Sequence, residues 1–383
     1  MISLALKMLI GNRASCIGVI FGIFLATLLI SQQSAIFLGL VARSYRMVTD
    51  IPAPNIWVMD PVTESEDKLR SLPFGYVDVV RSTPGVEWAV PLSISRSSIV
   101  TPTGGFDLCQ LYGIDDASLI GAPAQMLEGN VRDLRRRGAV IVDDYSAMGV
   151  LANRLPDGTK VPLKVGDSLE INSHQAVVVG ICKITQGFYP QPILFTTYTQ
   201  VQTFDPSMAN KVAFILAKTR PEFNVQQVLK SINAQPGLEA LTRDQFTDKV
   251  TEFFLKTGIL INFGLSVALG IIIGFSIAGQ IFYIMTLENI QYYALIKAIG
   301  GKRNILMKMV IIQAAVVGVI GFALGIGATV LWGMAIKSTT LAFMFPWQLL
   351  LFSAAIVAII CVFTAALSIQ KVFRIDPKAL LGN

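Results

Sequence analysis

Residues that could carry out chemistry are few in this chain. Histidine occurs once, at His174, with no ligand pattern around it, which excludes a histidine-rich metal site and argues against a histidine-based catalytic triad. No Cys-x-x-Cys pair is present. The Gly-Gly-Lys triplet at 300–302 resembles the end of a P-loop, but that motif needs glycine at a position that is Ile296 here. The sequence therefore indicates a non-catalytic protein that binds no cofactor of its own.

Two cysteines, Cys109 and Cys182, lie outside the most apolar parts of the chain. In an oxidising compartment they could form a disulfide. Both could equally be free thiols buried as small apolar residues, since cysteine is among the most buried residue types. The sequence leaves these two alternatives open.

One loop, at 286–308, combines helix signals with basic residues and reads TLENIQYYALIKAIGGKRNILMK. Residues 288–299 have helical composition. Gly300 and Gly301 follow, and a glycine just past a helix commonly ends it by adopting a left-handed backbone conformation. A second helix is predicted to begin near Arg303. The competing interpretation is a plain amphipathic helix that lies at a membrane surface.

Four uncharged apolar stretches flank this loop and the rest of the chain, at 15–42, 258–285, 309–336 and 347–367. Each has at least the roughly 20 residues that a membrane-spanning helix needs. The first is too long for the apolar region of a signal peptide, and no clear cleavage site follows it. The sequence therefore predicts a membrane protein with four transmembrane helices.

The first stretch has 28 residues, which as a helix would measure about 42 Å. That exceeds a bilayer core, so its outer end is expected to continue as a stalk. The Ser-Gln-Gln-Ser segment at 31–34 marks the exit from the membrane or, alternatively, a polar face packed against other helices.

Charge divides the chain sharply. Residues 44–256 hold 20 Lys+Arg and 23 Asp+Glu, whereas the remainder holds 11 Lys+Arg and 2 Asp+Glu. The overall net charge of +6 therefore comes from residues that flank the apolar stretches, and it does not indicate nucleic-acid binding.

Basic residues also predict the orientation, because cytoplasmic loops are enriched in Lys and Arg. They occur before the first span (Lys7, Arg13), in the 286–308 loop (Lys297, Lys302, Arg303, Lys308) and in the tail (Lys371, Arg374, Lys378), whereas the loop between spans three and four has Lys337 alone. Both termini and the 286–308 loop are thus predicted to be cytoplasmic, with 44–256 outside. The predicted segments are 1–43, 44–256, 257–285, 286–308, 309–336, 337–346, 347–367 and 368–383.

The 44–256 segment has mixed α+β character. Strands are predicted at 55–59, 86–90, 98–101, 139–142, 168–171, 176–184, 192–197 and 211–217. Helices are predicted at 63–70, 75–82, 144–148, 224–234 and 242–256. The last helix is expected to run directly into the second span as a second stalk, because no glycine or proline interrupts 243–257.

Three spans carry glycines four residues apart, a spacing that lets helix backbones approach closely. The pairs are Gly18 and Gly22, Gly270 and Gly274, and Gly321 and Gly325. Together they favour a tight helix bundle or a dimer.

The octapeptide at 293–300, Tyr-Ala-Leu-Ile-Lys-Ala-Ile-Gly, resembles the coupling-helix motif of the FtsX/MacB-type ABC permeases, also called type VII or mechanotransmission transporters. The pattern is most similar to the DevC-like subgroup, and the order of one span, a large domain and three spans is also similar. Two positions depart from the pattern, Ile296 in place of leucine and Tyr292 in place of glutamate. The candidate coupling residues are Glu288, Tyr292, Tyr293, Ala294, Leu295, Ile296, Lys297, Ala298, Ile299 and Gly300.

This resemblance implies a MacB-like periplasmic domain and a multi-pass protein of the bacterial inner membrane. It implies a dimer with a second copy or a paralogous permease, and a separate ATPase subunit that binds ATP and Mg. Movement of that ATPase would be transmitted to the periplasmic domain to export a hydrophobic or amphipathic substrate, together with a periplasmic adaptor and a TolC-like outer-membrane channel.

Two alternatives within the same superfamily remain open at this point. One is an FtsX-like relay, which activates a cell-wall hydrolase without transport. The other is a lipoprotein-releasing permease like LolC or LolE. No residue pattern in the sequence indicates which substrate the protein would act on.

Overall fold

The computed structural model describes residues 2–11, 13–101, 103–155, 159–189, 191–300, 302–336 and 341–373. The helices are α1 (Ile2–Gly11), α2 (Arg13–Ser44), α3 (Arg46–Asp50), α4 (Tyr76–Arg81), α5 (Asp144–Met148), α6 (Tyr198–Phe204), α7 (Val225–Asn233), α8 (Arg243–Lys256), α9 (Ile259–Glu288), α10 (Ile290–Ala298), α11 (Arg303–Ala335) and α12 (Trp347–Phe373). The strands are β1 (Ile56–Met59), β2 (Leu72–Pro73), β3 (Val86–Val100), β4 (Phe106–Ile114), β5 (Gln125–Gly129), β6 (Ala139–Asp143), β7 (Asn153–Arg154), β8 (Lys160–Val161), β9 (Ser168–Ile171), β10 (His174–Lys183), β11 (Ile193–Thr197), β12 (Lys211–Val212), β13 (Phe214–Thr219) and β14 (Glu239–Thr242).

The chain forms two compact units. The helical unit comprises 1–40 and 258–383, and the inserted domain comprises 41–257. Lys337 and the tail residues Arg374, Asp376 and Lys378, on which part of the charge argument rests, lie outside the described residues.

Four helices of the helical unit, α2, α9, α11 and α12, are long and apolar enough to cross a membrane. They overlap the four predicted spans, but three of them extend three or more residues further at one end: α9 continues to Glu288, three residues beyond the predicted end, α11 begins six residues early at Arg303, and α12 continues six residues further to Phe373. The N-terminal helix α1 was not predicted. One face of α1 is buried in the bundle through Ala5, Met8 and Leu9.

The glycine pairs pack helices of the same chain against one another. Gly18 and Gly22 contact α9, Gly270 and Gly274 contact α2, and Gly321 and Gly325 contact α2. A Cβ atom added at Gly274 would lie 2.6 Å from the Cβ of Ala26. The close approach occurs within the bundle of one chain, where α2 contacts both α9 and α11.

The polar segment at 31–34 includes a packed serine. Ser31 is buried, and its hydroxyl lies 3.1 Å from the hydroxyl of Ser353 in α12. For Ser31, the structure therefore supports the alternative of a polar face packed against another helix.

The inserted domain is built on a sheet with the order β14-β1-β13-β3-β4-β11-β6-β10-β5, in which β9 pairs with both β10 and β3. The strand β3 is long enough to pair with β13 through its first half and with β4 through its second half. Apolar residues of the sheet and of α4, α6 and α7 form the cores of the domain. The predicted α+β character is present, with 86–90 and 98–101 joined into the single strand β3.

Two local predictions for this domain are wrong, and several elements were not predicted, among them β4, β5, β14 and α6. Residues 63–70 form turns and no helix, because the Ser65 hydroxyl accepts hydrogen bonds from the backbone amides of Asp67 and Lys68 and so competes with helix formation. The helix α8 ends at Lys256 and does not continue into α9, because Gly258 between them adopts a left-handed conformation with φ of 79°.

The disulfide alternative is also wrong. Cys109 in β4 and Cys182 in β10 are both free and buried. The strands β11 and β6 lie between β4 and β10 in the sheet, which separates them by three strand spacings, or about 14 Å. A disulfide needs Cα atoms within about 7 Å.

Candidate functional site

The candidate coupling site begins where α9 ends. Glu288 was predicted to lie on the short helix, but it is the last residue of α9, and its carboxylate accepts a hydrogen bond of 2.7 Å from the Ser15 hydroxyl of α2. Asn289 forms the corner between α9 and α10. It is buried, and its side-chain amide donates to the carbonyl of Met285 at 2.8 Å. The corner is therefore anchored to the bundle.

The short helix α10 has one buried face. Tyr293 and Ala294 are buried, at 1% and 0% exposure, and Ile290 and Ile296 pack partly against the same core. Tyr293, one of the candidate coupling residues, therefore has its side chain inside the helical unit, where it anchors α10 and is not accessible to a partner protein.

The opposite face of α10 presents three apolar side chains, which we call the exposed stripe. Its members are Tyr292, Leu295 and Ile299, with 59%, 48% and 79% exposure. A spacing of three and four residues places them on one side of a helix. Ala298 is exposed beside them, and Lys297 is half-buried.

A buried hydrogen-bond chain fixes α10 to the rest of the unit. The Tyr293 hydroxyl donates to the side-chain carbonyl of Gln313 at 2.9 Å, and the amide nitrogen of Gln313 donates to the carbonyl of Ala5 at 3.0 Å. Burial raises the pKa of Tyr293 to about 12, so its hydroxyl stays protonated and available as a donor.

The end of α10 is a sharp turn. Gly300 has φ of 89°, a left-handed conformation that residues with a Cβ atom adopt only at a cost. Exposed basic residues follow it at the start of α11, Lys302, Arg303 and Lys308. The site thus offers an apolar stripe beside positive charge on a firmly anchored helix.

Sequence reasoning did not find Ser15, Asn289 or Gln313. A signal existed for Gln313, because an amide inside an apolar span needs a hydrogen-bond partner there. The octapeptide pattern drew attention to the neighbouring residues but did not distinguish its buried members from its exposed ones.

Two family models match the chain. The FtsX-like permease C-terminal family matches residues 264–377, and the MacB-like periplasmic core domain family matches residues 15–235, which is more than half of the chain. The chain belongs to the FtsX/MacB-type ABC transporter permeases.

Similar proteins include uncharacterized ABC transporter permeases from Mycobacterium bovis and Mycobacterium tuberculosis, each 23% identical over 331 residues, which cover 82% of this chain and 81% of theirs. Among solved structures, the periplasmic region of MacB from Actinobacillus actinomycetemcomitans aligns with a TM-score of 0.40 at 15% identity and covers 53% of this chain and 95% of that region. The extracellular domain of YknZ, a noncanonic ABC-type transporter from Gram-positive bacteria, aligns with a TM-score of 0.36 at 11% identity and covers 49% of this chain and 99% of that domain.

As an FtsX/MacB-type permease, the protein is a multi-pass inner-membrane protein with four transmembrane helices and a large MacB-like periplasmic domain between the first and the second. Such permeases are the membrane subunits of ABC transporters, and the family implies an ATPase partner. The matches do not distinguish the DevC-like subgroup, which stays a prediction.

Proposed function

We propose that this permease is the membrane subunit of an exporter in which α10 docks into a separate ATPase subunit and transmits its movement. In this proposal ATP and Mg bind to the ATPase, and the permease itself hydrolyses no nucleotide. Both termini and α10 lie in the cytoplasm, as the basic residues around α10 suggest.

The observation that carries the proposal is the pair of opposite faces on α10. One face is held in the bundle by Tyr293 and Ala294, while the other exposes the apolar stripe of Tyr292, Leu295 and Ile299. Apolar side chains clustered on a surface typically mark an interaction site. A helix that is anchored on one side and apolar on the other is suited to receive a partner and to pass force into the spans.

Basic residues add to the fit. Lys302, Arg303 and Lys308 are exposed next to the turn at Gly300. A groove with an apolar floor and an acidic rim would complement both features, because opposite charges at the rim of an interface orient the partners.

The remaining assembly is proposed from the similarity to MacB-like permeases. It consists of two permease chains, either a homodimer or a pair with a paralogous permease, together with a periplasmic adaptor and a TolC-like channel. The exported substrate would be a hydrophobic or amphipathic compound.

Affinity purification of the full chain from native membranes in mild detergent tests the assembly. We expect an ABC ATPase and a periplasmic adaptor to co-purify, and nucleotide hydrolysis to appear only when the ATPase is present. Co-purification of a cell-wall hydrolase in place of an adaptor would show that the protein is a relay and not an exporter. A reporter fused after Asn383 that is active only outside the cytoplasm would contradict the orientation.

A further inference from the structure

We propose that Gln313 is a positioning residue that joins the coupling helix α10 to the N-terminal helix α1, so that both helices move as one body. The mechanical role of this link rests on the proposed function, in which α10 receives the movement of an ATPase. The link itself is a property of this chain alone and can be tested without an ATPase.

Gln313 lies in α11, ten residues after that helix begins, which is about 15 Å along its axis. Its side chain has 0% exposure and is surrounded by the apolar core of the helical unit. An amide in such a place must find partners within the protein, because an unpaired buried amide is costly. Both ends of the Gln313 amide have one.

The chemistry of those partners fixes the direction of every bond. The carbonyl of Ala5 can only accept, so the NH2 group of Gln313 must face α1. The side-chain carbonyl of Gln313 then faces α10, where the Tyr293 hydroxyl must act as the donor. One residue of α11 thus holds a main-chain atom of α1 and a side chain of α10 at the same time.

Both helices depend on the bundle for their conformation. The helix α1 has 10 residues and α10 has 9, and isolated helices of this length are marginal in water. Each presents one buried face to the unit, through Ala5, Met8 and Leu9 in α1 and through Tyr293 and Ala294 in α10. Displacing α10 alone would break the bond from the Tyr293 hydroxyl and leave the buried side-chain carbonyl of Gln313 without a donor.

The route matters because α1 immediately precedes the first span in the chain. The helix α1 ends at Gly11, and α2 begins at Arg13. Force applied to the exposed stripe can thus reach α11 through Gln313 directly and α2 through α1. No role was predicted for α1 from the sequence. In this proposal it takes part in coupling, because it connects α10 and Gln313 to the first span.

Hydrogen–deuterium exchange on the full permease in lipid nanodiscs tests the link. Gln313→Leu removes both bonds while keeping the volume, and it should accelerate amide exchange in both 2–11 and 290–298 by about fivefold or more. Tyr293→Phe, a milder change, should accelerate exchange in 290–298 alone. Val317→Ala creates a cavity on the same buried face of α11 without touching either bond, and both helices should then exchange as in the wild type.

A second readout separates positioning from stability. With the co-purifying ATPase bound, Gln313→Leu should retain association but lose most of the stimulation of nucleotide hydrolysis. The double variant Tyr293→Phe/Gln313→Leu also removes the Tyr293 hydroxyl that Gln313→Leu alone leaves without an acceptor, so it should regain part of the lost thermal stability without regaining stimulation. Acceleration of only one helix by Gln313→Leu, equal acceleration of both by Val317→Ala, or stimulation that returns together with stability would each overturn the proposal. Failure of any ATPase to associate would count against the proposed function alone.

Discussion

The inserted domain and the helical unit bury different kinds of polar groups. In the inserted domain, Arg46 and Glu66 form an ion pair of 2.9 Å with side-chain exposures of only 3% and 6%. Among the described residues of the helical unit, the buried polar side chains are all uncharged, such as Ser31, Asn289 and Gln313.

The difference follows from what surrounds each interior. A buried ion pair persists where each charge is fully matched, and Arg46 also donates to Gln110 and Tyr112, at 3.0 Å each. Inside a membrane bundle, charged side chains are rare and costly, whereas amides and hydroxyls can join helices through hydrogen bonds. The inserted domain thus buries charged side chains as well as neutral polar ones, whereas the described part of the helical unit buries only neutral polar side chains.

The largest effect is expected when the buried ion pair between Arg46 and Glu66 is broken. Arg46→Leu leaves the Glu66 carboxylate buried without its cation, and the inserted domain should lose about 3–5 kcal/mol of unfolding free energy. Arg136→Leu removes an exposed partner of Asp133 and should cost at most about 1 kcal/mol. Urea titrations followed by hydrogen exchange of the inserted domain measure both. Equal losses would refute the idea that burial makes this ion pair special.

A middle-sized effect is expected at the glycine contacts of the helical unit. A Cβ atom added by Gly325→Ala would lie 2.5 Å from the Cβ of Thr27 and 3.0 Å from the carbonyl oxygen of Phe24, which should cost about 1–3 kcal/mol. Gly327→Ala, two residues further in the same helix, meets nothing within 4 Å and should stabilise by about 0.5–1 kcal/mol. Thermal unfolding in detergent distinguishes the two, and similar melting temperatures would contradict the packing account.

The smallest effect concerns the carboxyl group of Asp67, which lies next to the ion pair between Arg46 and Glu66. Burial raises the pKa of Asp67 to about 6, with the neighbouring Glu66 adding to the rise and Arg96 opposing it. Since this pKa is higher in the folded state than the value of about 3.9 in an unfolded chain, the folded state takes up a proton first as the pH falls from 7 to 5. The inserted domain should therefore gain about 1 kcal/mol from this group over that range.

Asp67→Asn isolates that contribution. The variant should lack the part of the pH dependence that Asp67 supplies, and the difference between wild type and variant should grow between pH 7 and pH 5. Unfolding curves at the two pH values provide the measurement. A wild type and a variant with parallel pH profiles would show that Asp67 titrates as an exposed carboxyl group does.

Much of the architecture was accessible from the sequence, because long uncharged apolar stretches have few alternatives to spanning helices. The strands of the inserted domain were harder to predict. In β4 the polar residues Asp107 and Gln110 interrupt the apolar pattern by which a strand is predicted. The burial of this strand depends on its neighbours β3 and β11, which are distant in the sequence. The turn at 63–70 depends on side-chain bonds from Ser65, which composition does not show.

At the candidate site, the pattern located α10 but not its orientation. Which of Tyr292 and Tyr293 is buried depends on Gln313, a partner 20 residues further along the chain. The role of α1 could not be predicted either, because a helix of 10 residues is stabilised mainly by the surface on which it packs, and the sequence does not show that surface.

In the proposed function, coupling to an ATPase depends on α10 as the docking element. Leu295→Glu places a charge in the middle of the exposed stripe, and Leu127→Glu, at an equally exposed leucine of the inserted domain (47% against 48%), is the matched control. Affinity purification with measured ATPase stimulation should show that Leu295→Glu weakens association by about tenfold or more, because the charge would have to be buried, while Leu127→Glu behaves nearly as the wild type. If Leu295→Glu combined with Lys297→Glu left association and transport unchanged, α10 would be only an anchor at the membrane surface and the account would be wrong.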